Sequence, residues 1–313
     1  MSAILITGGA GFIGSHLTEE LVNQGYRVLV YDDLRVGRLE NLRCPYEFVK
    51  GDIRDYHSLA VAMRDCRYVF HLAVLTGAAG SLKMMEEYFT VNVYGTLNVL
   101  KAAAREEGVE KVVFTSTAAV YGDTKEIPET ETMRLEPRSP YAISKANGEY
   151  CCDMFWRSFG LPTVSTRLFN VFGERQDGRS PHAAAVPLFI KNTLQGLPLP
   201  IYGDGTQTRD FIYVKDVVKA LILLMKEGSG IYNVGSGQEV DINALLLIIQ
   251  QCLNQYMPIR YLPERPGELR RCCASVQKLA ALGFRPDYSL RDGLIRTITD
   301  FTGKSPELCE RIG

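Results

Sequence analysis

Near the N-terminus the run Ala3-Ile4-Leu5-Ile6-Thr7 meets glycine and then an amphipathic stretch from Phe12 to about Gln24. A short apolar run, a glycine-rich turn and a helical period make a strand–turn–helix unit, which narrows the possible folds sharply. Gly8, Gly11 and Gly14 stand in the turn at GxxGxxG spacing. Such glycines let the backbone turn tightly and approach a diphosphate, whose charge the following helix N-terminus favours. The unit then recurs along the chain. Residues 27–31, 47–49, 67–71, 111–115 and 163–168 read as further strands, with helical patterns at about 84–107 and 140–159. Strands alternating with helices imply an α/β protein built on a doubly wound parallel sheet. Ligands of such sheets sit beyond the strands' carboxyl ends, so the loops after Thr7, Tyr31, His71, Thr115 and Leu168 should carry the chemistry.

After Leu168 the pattern loosens into turn signals, short strands and helical stretches at about 183–194, 214–226, 243–253, 276–282 and 290–301. The expected division is a nucleotide-binding domain over 1–167, rejoined by 211–235, and a smaller α/β substrate domain over 168–210 and 236–313. Hydrophobic residues are 46% of the 313 and charged residues 23%, which excludes a disordered or fibrous chain. With 35 basic against 36 acidic residues, neither nucleic acid nor a membrane surface is an expected partner. No apolar stretch approaches the ~20 residues of a membrane span, and the N-terminus lacks a basic leader. Eight cysteines without a CxxC and four scattered histidines suggest no metal, and a reduced, cytoplasmic protein.

Asp32, at the end of the second strand, can accept hydrogen bonds from the ribose 2′- and 3′-hydroxyls of an adenosine. A carboxylate there repels a 2′-phosphate and favours NAD over NADP. Arg35 and Arg38 bear on that choice unless they are solvated loop charges. Asp52-Ile53 after the third strand could flank the adenine, or Asp52 could simply form a turn. Further on, Tyr141-Ala-Ile-Ser-Lys145 sets a phenol and an ammonium at i and i+4 on one helix face. A phenol with its ordinary pKa of ~10 is a poor base, and a fixed ammonium plus a positive nicotinamide would favour its phenolate. Phe114-Thr-Ser-Thr-Ala-Ala-Val-Tyr-Gly122 lies just upstream, and its Thr117 can present a hydroxyl to the oxygen that Tyr141 deprotonates.

Together these motifs resemble an extended short-chain dehydrogenase/reductase, and most nearly the NAD-dependent nucleotide-sugar 4-epimerases typified by UDP-glucose 4-epimerase. The similarity continues through Gly51-Asp-Ile53, His71-Leu-Ala73, Asn92-Val-Tyr-Gly-Thr96, Arg167-Leu-Phe-Asn-Val-Phe-Gly173, Tyr202-Gly-Asp-Gly-Thr-Gln-Thr-Arg-Asp210 and Arg265-Pro-Gly-Glu268, covering nearly the whole chain. It implies a Rossmann-like fold with NAD as cofactor. It also implies cofactor contacts at Gly8, Gly11, Phe12, Ile13, Gly14, Asp32, Asp33, Asp52, Ile53, Leu72, Ala73, Asn92, Tyr141, Lys145 and Leu168. Tyr141 would be the base on the sugar 4-hydroxyl, Lys145 would hold the nicotinamide ribose and tune Tyr141, and Thr117 would bond the reacting oxygen. Asn170 and the backbone near Val186 would hold the UDP-sugar, Tyr202 would lie against the uracil, and Arg209 and Arg265 would pair with the phosphates.

Relatives of this fold all begin by oxidising C4 and diverge afterwards. Dehydratases carry an Asp-Glu pair directly after the Thr, and UDP-glucuronate decarboxylases a Glu at the second of those positions. Ala118 and Ala119 stand there in this chain. Without that acid, hydride return to the other face of the ketone inverts C4. Cys272 falls at the family's size gate, where a small residue leaves room for an N-acetyl group. Thr76 replaces a Lys found in some hexose epimerases, and with Ser81 it could bond a sugar. UDP-glucuronate therefore stands as an alternative substrate, and dehydration or decarboxylation as alternative reactions. A non-enzymatic NAD sensor is the alternative from another class, against which Thr117, Tyr141 and Lys145 count. The long helices over 84–107 and 140–159 imply, by the same resemblance, a homodimer joined through a four-helix bundle.

Overall fold

The computed structural model describes residues 3–178, 184–264 and 269–303. Its strands are β1 (Ala3–Thr7), β2 (Arg27–Asp32), β3 (Glu47–Lys50), β4 (Cys66–His71), β5 (Lys111–Thr117), β6 (Thr163–Leu168), β7 (Asn170–Phe172), β8 (Leu199–Tyr202), β9 (Thr208–Tyr213), β10 (Gly230–Val234), β11 (Glu239–Asp241) and β12 (Ile259–Leu262). The helices are α1 (Phe12–Asn23), α2 (Tyr56–Met63), α3 (Ala78–Lys83), α4 (Met85–Phe89), α5 (Thr96–Ala103), α6 (Pro140–Phe159), α7 (Ala185–Leu194), α8 (Val214–Glu227), α9 (Ile242–Leu253), α10 (Gln277–Ala280) and α11 (Leu290–Thr302).

Seven strands form one sheet in the order β3-β2-β1-β4-β5-β6-β10, every neighbouring pair parallel. The fold is therefore the doubly wound, Rossmann-like α/β architecture. Strand side chains alternate between faces. Ile4, Ile6, Val30, Phe70 and Val113 pack with Leu17 of α1 and Leu221 of α8 on one side. Leu5, Val69, Val112 and Phe114 pack with Val99 of α5 and Phe155 of α6 on the other. Strand order reverses between β1 and β4, which opens a crevice beyond their carboxyl ends. β9 lies between β7 and β11 in a three-stranded sheet, β8 pairs with β12, and a third core of Phe172, Val186, Phe189, Leu245 and Leu294 lies among these elements.

The pattern over 84–107 predicts one continuous helix. The structure carries helical backbone without a break from Met85 to Ala103, with α4 and α5 joined by a wider, π-helical turn over Thr90–Gly95. A turn wider than 3.6 residues leaves the apolar period almost unchanged over one turn, so the sequence does not reveal it. By contrast α6 has the expected bounds. Ser139 caps it through its side chain, which accepts from the Ala142 amide, Pro140 occupies the first turn, and Gly160 ends it in a left-handed conformation.

Candidate active site

Thr7 ends β1, and Gly8 must then turn with φ of +73°. A Cβ on Gly8 would fall 2.6 Å from the Ala73 amide nitrogen, so only glycine fits where the turn meets the loop after β4. Gly11 is the N-cap of α1; it offers no side-chain cap, and the first turn holds no acid. The amide groups opening α1 at Phe12, Ile13 and Gly14 are thus left for an anionic ligand. Ala10, in the middle of the turn, is clamped on both sides: its amide donates to Asp32 Oδ2 at 3.0 Å, and its carbonyl accepts from Arg38 N and Asn41 Nδ2, both at 2.9 Å. Asp32 also accepts from the Leu34 amide at 2.8 Å and is 6% exposed, and burial raises its pKa. The carboxylate expected at a ribose therefore also fixes the glycine turn. Backbone donors at a helix start, a close-packed glycine and a fixed carboxylate at the next strand end suit a dinucleotide.

Around this turn, Asp33 caps its own loop by accepting from the Arg35 amide, and Arg35 pairs with Glu87 at 2.5 Å. Arg38 pairs with Asp177 at 3.5 Å. The Asp52 carboxylate accepts from the Arg54 amide and guanidinium, so its side chain does form a turn, while Ile53 is buried beneath it. The Leu72 amide bonds the Thr7 carbonyl, which places Leu72 and Ala73 beside the glycine turn. Asn92, 2% exposed, accepts from the Leu75 amide and donates to the Leu75 carbonyl and to Ser144 Oγ, joining that loop to α6.

Thr117 is the last residue of β5 and Tyr141 lies in the first turn of α6, where the Thr117 hydroxyl stands near enough to the phenol to favour its ionised form. Lys145 follows one turn later, 3% exposed, with its Nζ 4.3 Å from the centre of the Phe114 ring. Burial dominates both groups, pushing the Tyr141 phenol above its ordinary value and the Lys145 ammonium down to about 7. The spacing predicts that Lys145 lowers Tyr141; in the folded chain the low-dielectric site outweighs that effect and disfavours both charged forms. His71, at the end of β4, sits between the Thr7 and Thr96 hydroxyls, each at 2.8 Å. Thr96 donates to the Asn92 carbonyl, so it accepts from His71 Nε2, and Nδ1 accepts from Thr7. Burial lowers this imidazole to about 3 and keeps it neutral.

Cys272, 3% exposed, lies in a cluster with Ala118, Val120, Tyr121, Ala146, Phe169 and Ala274. Ala118 adjoins Thr117 and Ala146 adjoins Lys145 in the chain, which sets this cluster next to the reactive pair. Glu129, which the sequence did not single out, is 1% exposed and accepts from the Cys273 amide at 2.7 Å, and its charge helps burial push the neighbouring Cys272 thiol up. Leu168 is buried at the end of β6 and Asn170 is exposed on β7. The Val186 side chain is in the core, in the first turn of α7. Tyr202 and Arg209 are half-buried at the end of β8 and in β9. Thr76 is exposed, with its carbonyl accepting from the Tyr88 hydroxyl; Ser81 is fully buried, its hydroxyl spent on the Ala78 carbonyl. Arg265 lies outside the described residues. Glu149 and Arg167, also passed over in the sequence, form a buried ion pair behind Thr117 and Lys145. Among the described residues no group of His, Cys, Asp and Glu could hold a metal, and no helix is long and apolar enough to cross a membrane.

Comparison with known proteins agrees with this geometry. The model of the NAD dependent epimerase/dehydratase family matches residues 4–235. A UDP-glucose 4-epimerase of Mycolicibacterium smegmatis is 37% identical, with 96% of this chain and 99% of that protein covered. A UDP-N-acetyl-alpha-D-glucosaminuronate decarboxylase of Bacillus cytotoxicus is 36% identical over 95% and 97% of the two chains, so identity alone does not choose the reaction. The solved structure of a UDP-N-acetylglucosamine 4-epimerase from Methanobrevibacter ruminantium superposes with a TM-score of 0.93 at 38% identity, covering 97% and 99%. With its glycine turn, strand-end carboxylate and Thr–Tyr–Lys constellation, the chain belongs to the NAD dependent epimerase/dehydratase family.

Proposed function

We propose that this protein inverts C4 of UDP-sugars through a transient 4-keto sugar, NAD taking the C4 hydride and returning it to the opposite face. The carrying observation is that Thr117 at the end of β5 and Tyr141 at the start of α6 stand near each other, while Ala118 and Ala119, directly after Thr117, supply no acid. Tyr141 takes the proton of the sugar 4-hydroxyl, with Thr117 holding the same oxygen. Lys145 holds the nicotinamide ribose, and its charge favours the phenolate when the amine is protonated. Asp32 holds the adenosine ribose, and the opening turn of α1 the diphosphate. On the substrate side Asn170, the backbone at Val186, Tyr202 and Arg209 hold the UDP moiety, with Arg265 as a second phosphate partner. Glu129 is 1% exposed and its carboxylate holds the Cys273 amide, which favours a framework role over proton transfer at C5 or C6.

The substrates are UDP-glucose and UDP-galactose and, because the small Cys272 stands at the family's size gate, their 2-N-acetyl counterparts. Residues 1–167 with 211–235 serve the cofactor and the remainder the sugar, and two copies pair into a homodimer.

Purified protein mixed separately with UDP-glucose, UDP-N-acetylglucosamine and UDP-glucuronate, without and then with added NAD, should yield the matching 4-epimers of the first two. A 4-keto-6-deoxy or pentose product would instead assign dehydration or decarboxylation. Tyr141→Phe should lose about 10²–10⁴ in kcat while keeping its NAD. Cys272→Tyr should lose N-acetylhexosamine turnover selectively; an unchanged ratio between the two sugars would remove the gate from the proposal.

A further inference from the structure

Behind the reactive face of α6 lies a polar cluster sealed from solvent. Arg167 on β6 and Glu149 on α6 are each 2% exposed at their side chains. Arg167 Nη2 donates to Glu149 Oε2 at 2.7 Å, and Nε to Oε1 at 3.0 Å. The remaining guanidinium nitrogen donates to the Tyr121 hydroxyl at 2.9 Å and to the Glu131 carbonyl at 3.2 Å. Tyr121 in turn donates to Asn233 Oδ1 on β10 at 2.6 Å. Glu149 Oε1 also accepts from Ser116 Oγ at 2.5 Å. Ser116 directly precedes Thr117, and its register partner across the sheet is Arg167. Glu149 stands one turn beyond Lys145 and two beyond Tyr141, on the same helix face.

A buried ion pair is poor evidence of stability, because desolvation cancels much of the attraction and apolar side chains fill such space as well. What apolar side chains lack is direction: a fork-to-carboxylate contact fixes both rotation and translation of the groups it joins. Here it joins the strand end carrying Thr117 to the helix carrying Tyr141 and Lys145. The Lys145 ammonium lies against the Phe114 ring, so the setting of the helix decides where it stands. We infer that Glu149, held by Arg167 and Ser116, is a positioning residue that sets Lys145 and Tyr141 of α6 against Thr117 of β5. Its carboxylate also favours the protonated form of Lys145, whereas the buried Cys152 thiol on the same helix, pushed up to about 12, stays neutral, and Lys145 disfavours charge on His71 of β4.

The inference rests on the epimerase reading for its chemistry, and its test has a readout independent of turnover. Glu149→Gln, Arg167→Lys and Ser116→Ala are prepared. For each, kcat and KM for UDP-glucose are measured against pH, together with NAD affinity against pH and the melting midpoint. Folded Glu149→Gln should lose about tenfold or more in kcat with KM within about threefold, as expected when reacting groups are misplaced by a fraction of an ångström. Loss of the carboxylate should also move the upper pH limit of kcat and of NAD affinity downward. Arg167→Lys keeps the charges but loses the fork, so kcat should fall while the pH limits stay near wild type. A folded Glu149→Gln with kcat within twofold and unmoved limits would overturn the inference. Should that variant not fold, Ser116→Ala and Arg167→Lys decide it, and twofold or smaller effects in both overturn it. A wild type inactive on every UDP-sugar would sink the epimerase reading alone, because the displaced pH limit of NAD affinity in Glu149→Gln still decides this one.

Discussion

Lys145 shows what a reactive site costs a fold. Its amine is 3% exposed, and burial lowers it from its ordinary 10.5 to about 7. The unfolded chain binds a proton there below about 10.5, the folded chain only below about 7. Stability is therefore lost as pH falls through that window, and most of the loss is in place near neutrality. Lys145→Met should raise the stability of nucleotide-stripped protein near neutral pH by about 1–3 kcal/mol while abolishing turnover. Denaturant titrations at several pH values check this, and the advantage should shrink as pH rises toward the free amine's range. A Met variant no more stable near neutrality would mean that Lys145 sits there without cost. His71 behaves alike on the acid side: held neutral with its pKa near 3, it contributes stability that is lost as pH falls from about 6.5 to about 3.

At the scale of elements, α6 carries the chemistry on one side and is anchored at its start by Ser139. The Ser139 side chain accepts from the Ala142 amide at 3.1 Å, one residue from Tyr141. Ser139→Ala should cost about 1 kcal/mol in urea unfolding, and fraying of that first turn should lower kcat more than it changes NAD affinity. The helix sits hard against β5: a Cβ on Gly148 would fall 2.3 Å from the Phe114 ring. Sequence reading found α6 and β6 at their exact limits, because capping, proline and glycine signals and an unbroken period mark them locally. It also placed Thr117 at a strand end and Tyr141 and Lys145 on one face of a helix, since strand end and i, i+4 spacing are local properties. Glu149, Arg167 and Glu129 escaped it. Arg167 and Glu149 are 18 residues apart, and Glu129 meets the Cys273 amide 144 residues away. Nothing near either partner in the chain signals the other.

For the whole molecule, the second face of α6 matters. Residues 141, 145, 148 and 149 turn inward, while Ile143, Tyr150 and Met154 form a stripe at helical spacing that is 38%, 65% and 40% exposed. Tyr94, in the wide turn between α4 and α5, is 53% exposed as well. Tyrosine and methionine standing out in a row are costly in water and suit the core of an interface. In the proposed homodimer these surfaces of two copies meet, so the interface lies on the reverse side of the helix that holds the reactive pair. The wild type should sediment at about twice the 34.9 kDa of the chain. Tyr150→Glu with Met154→Glu would place two carboxylates in that contact and should yield monomer. Because α6 is shared, the monomer should melt earlier and lose kcat, while NAD affinity, set mainly by the glycine turn and Asp32, changes less. A wild type that sediments as monomer at micromolar concentration would assign the stripe to another partner and uncouple assembly from catalysis.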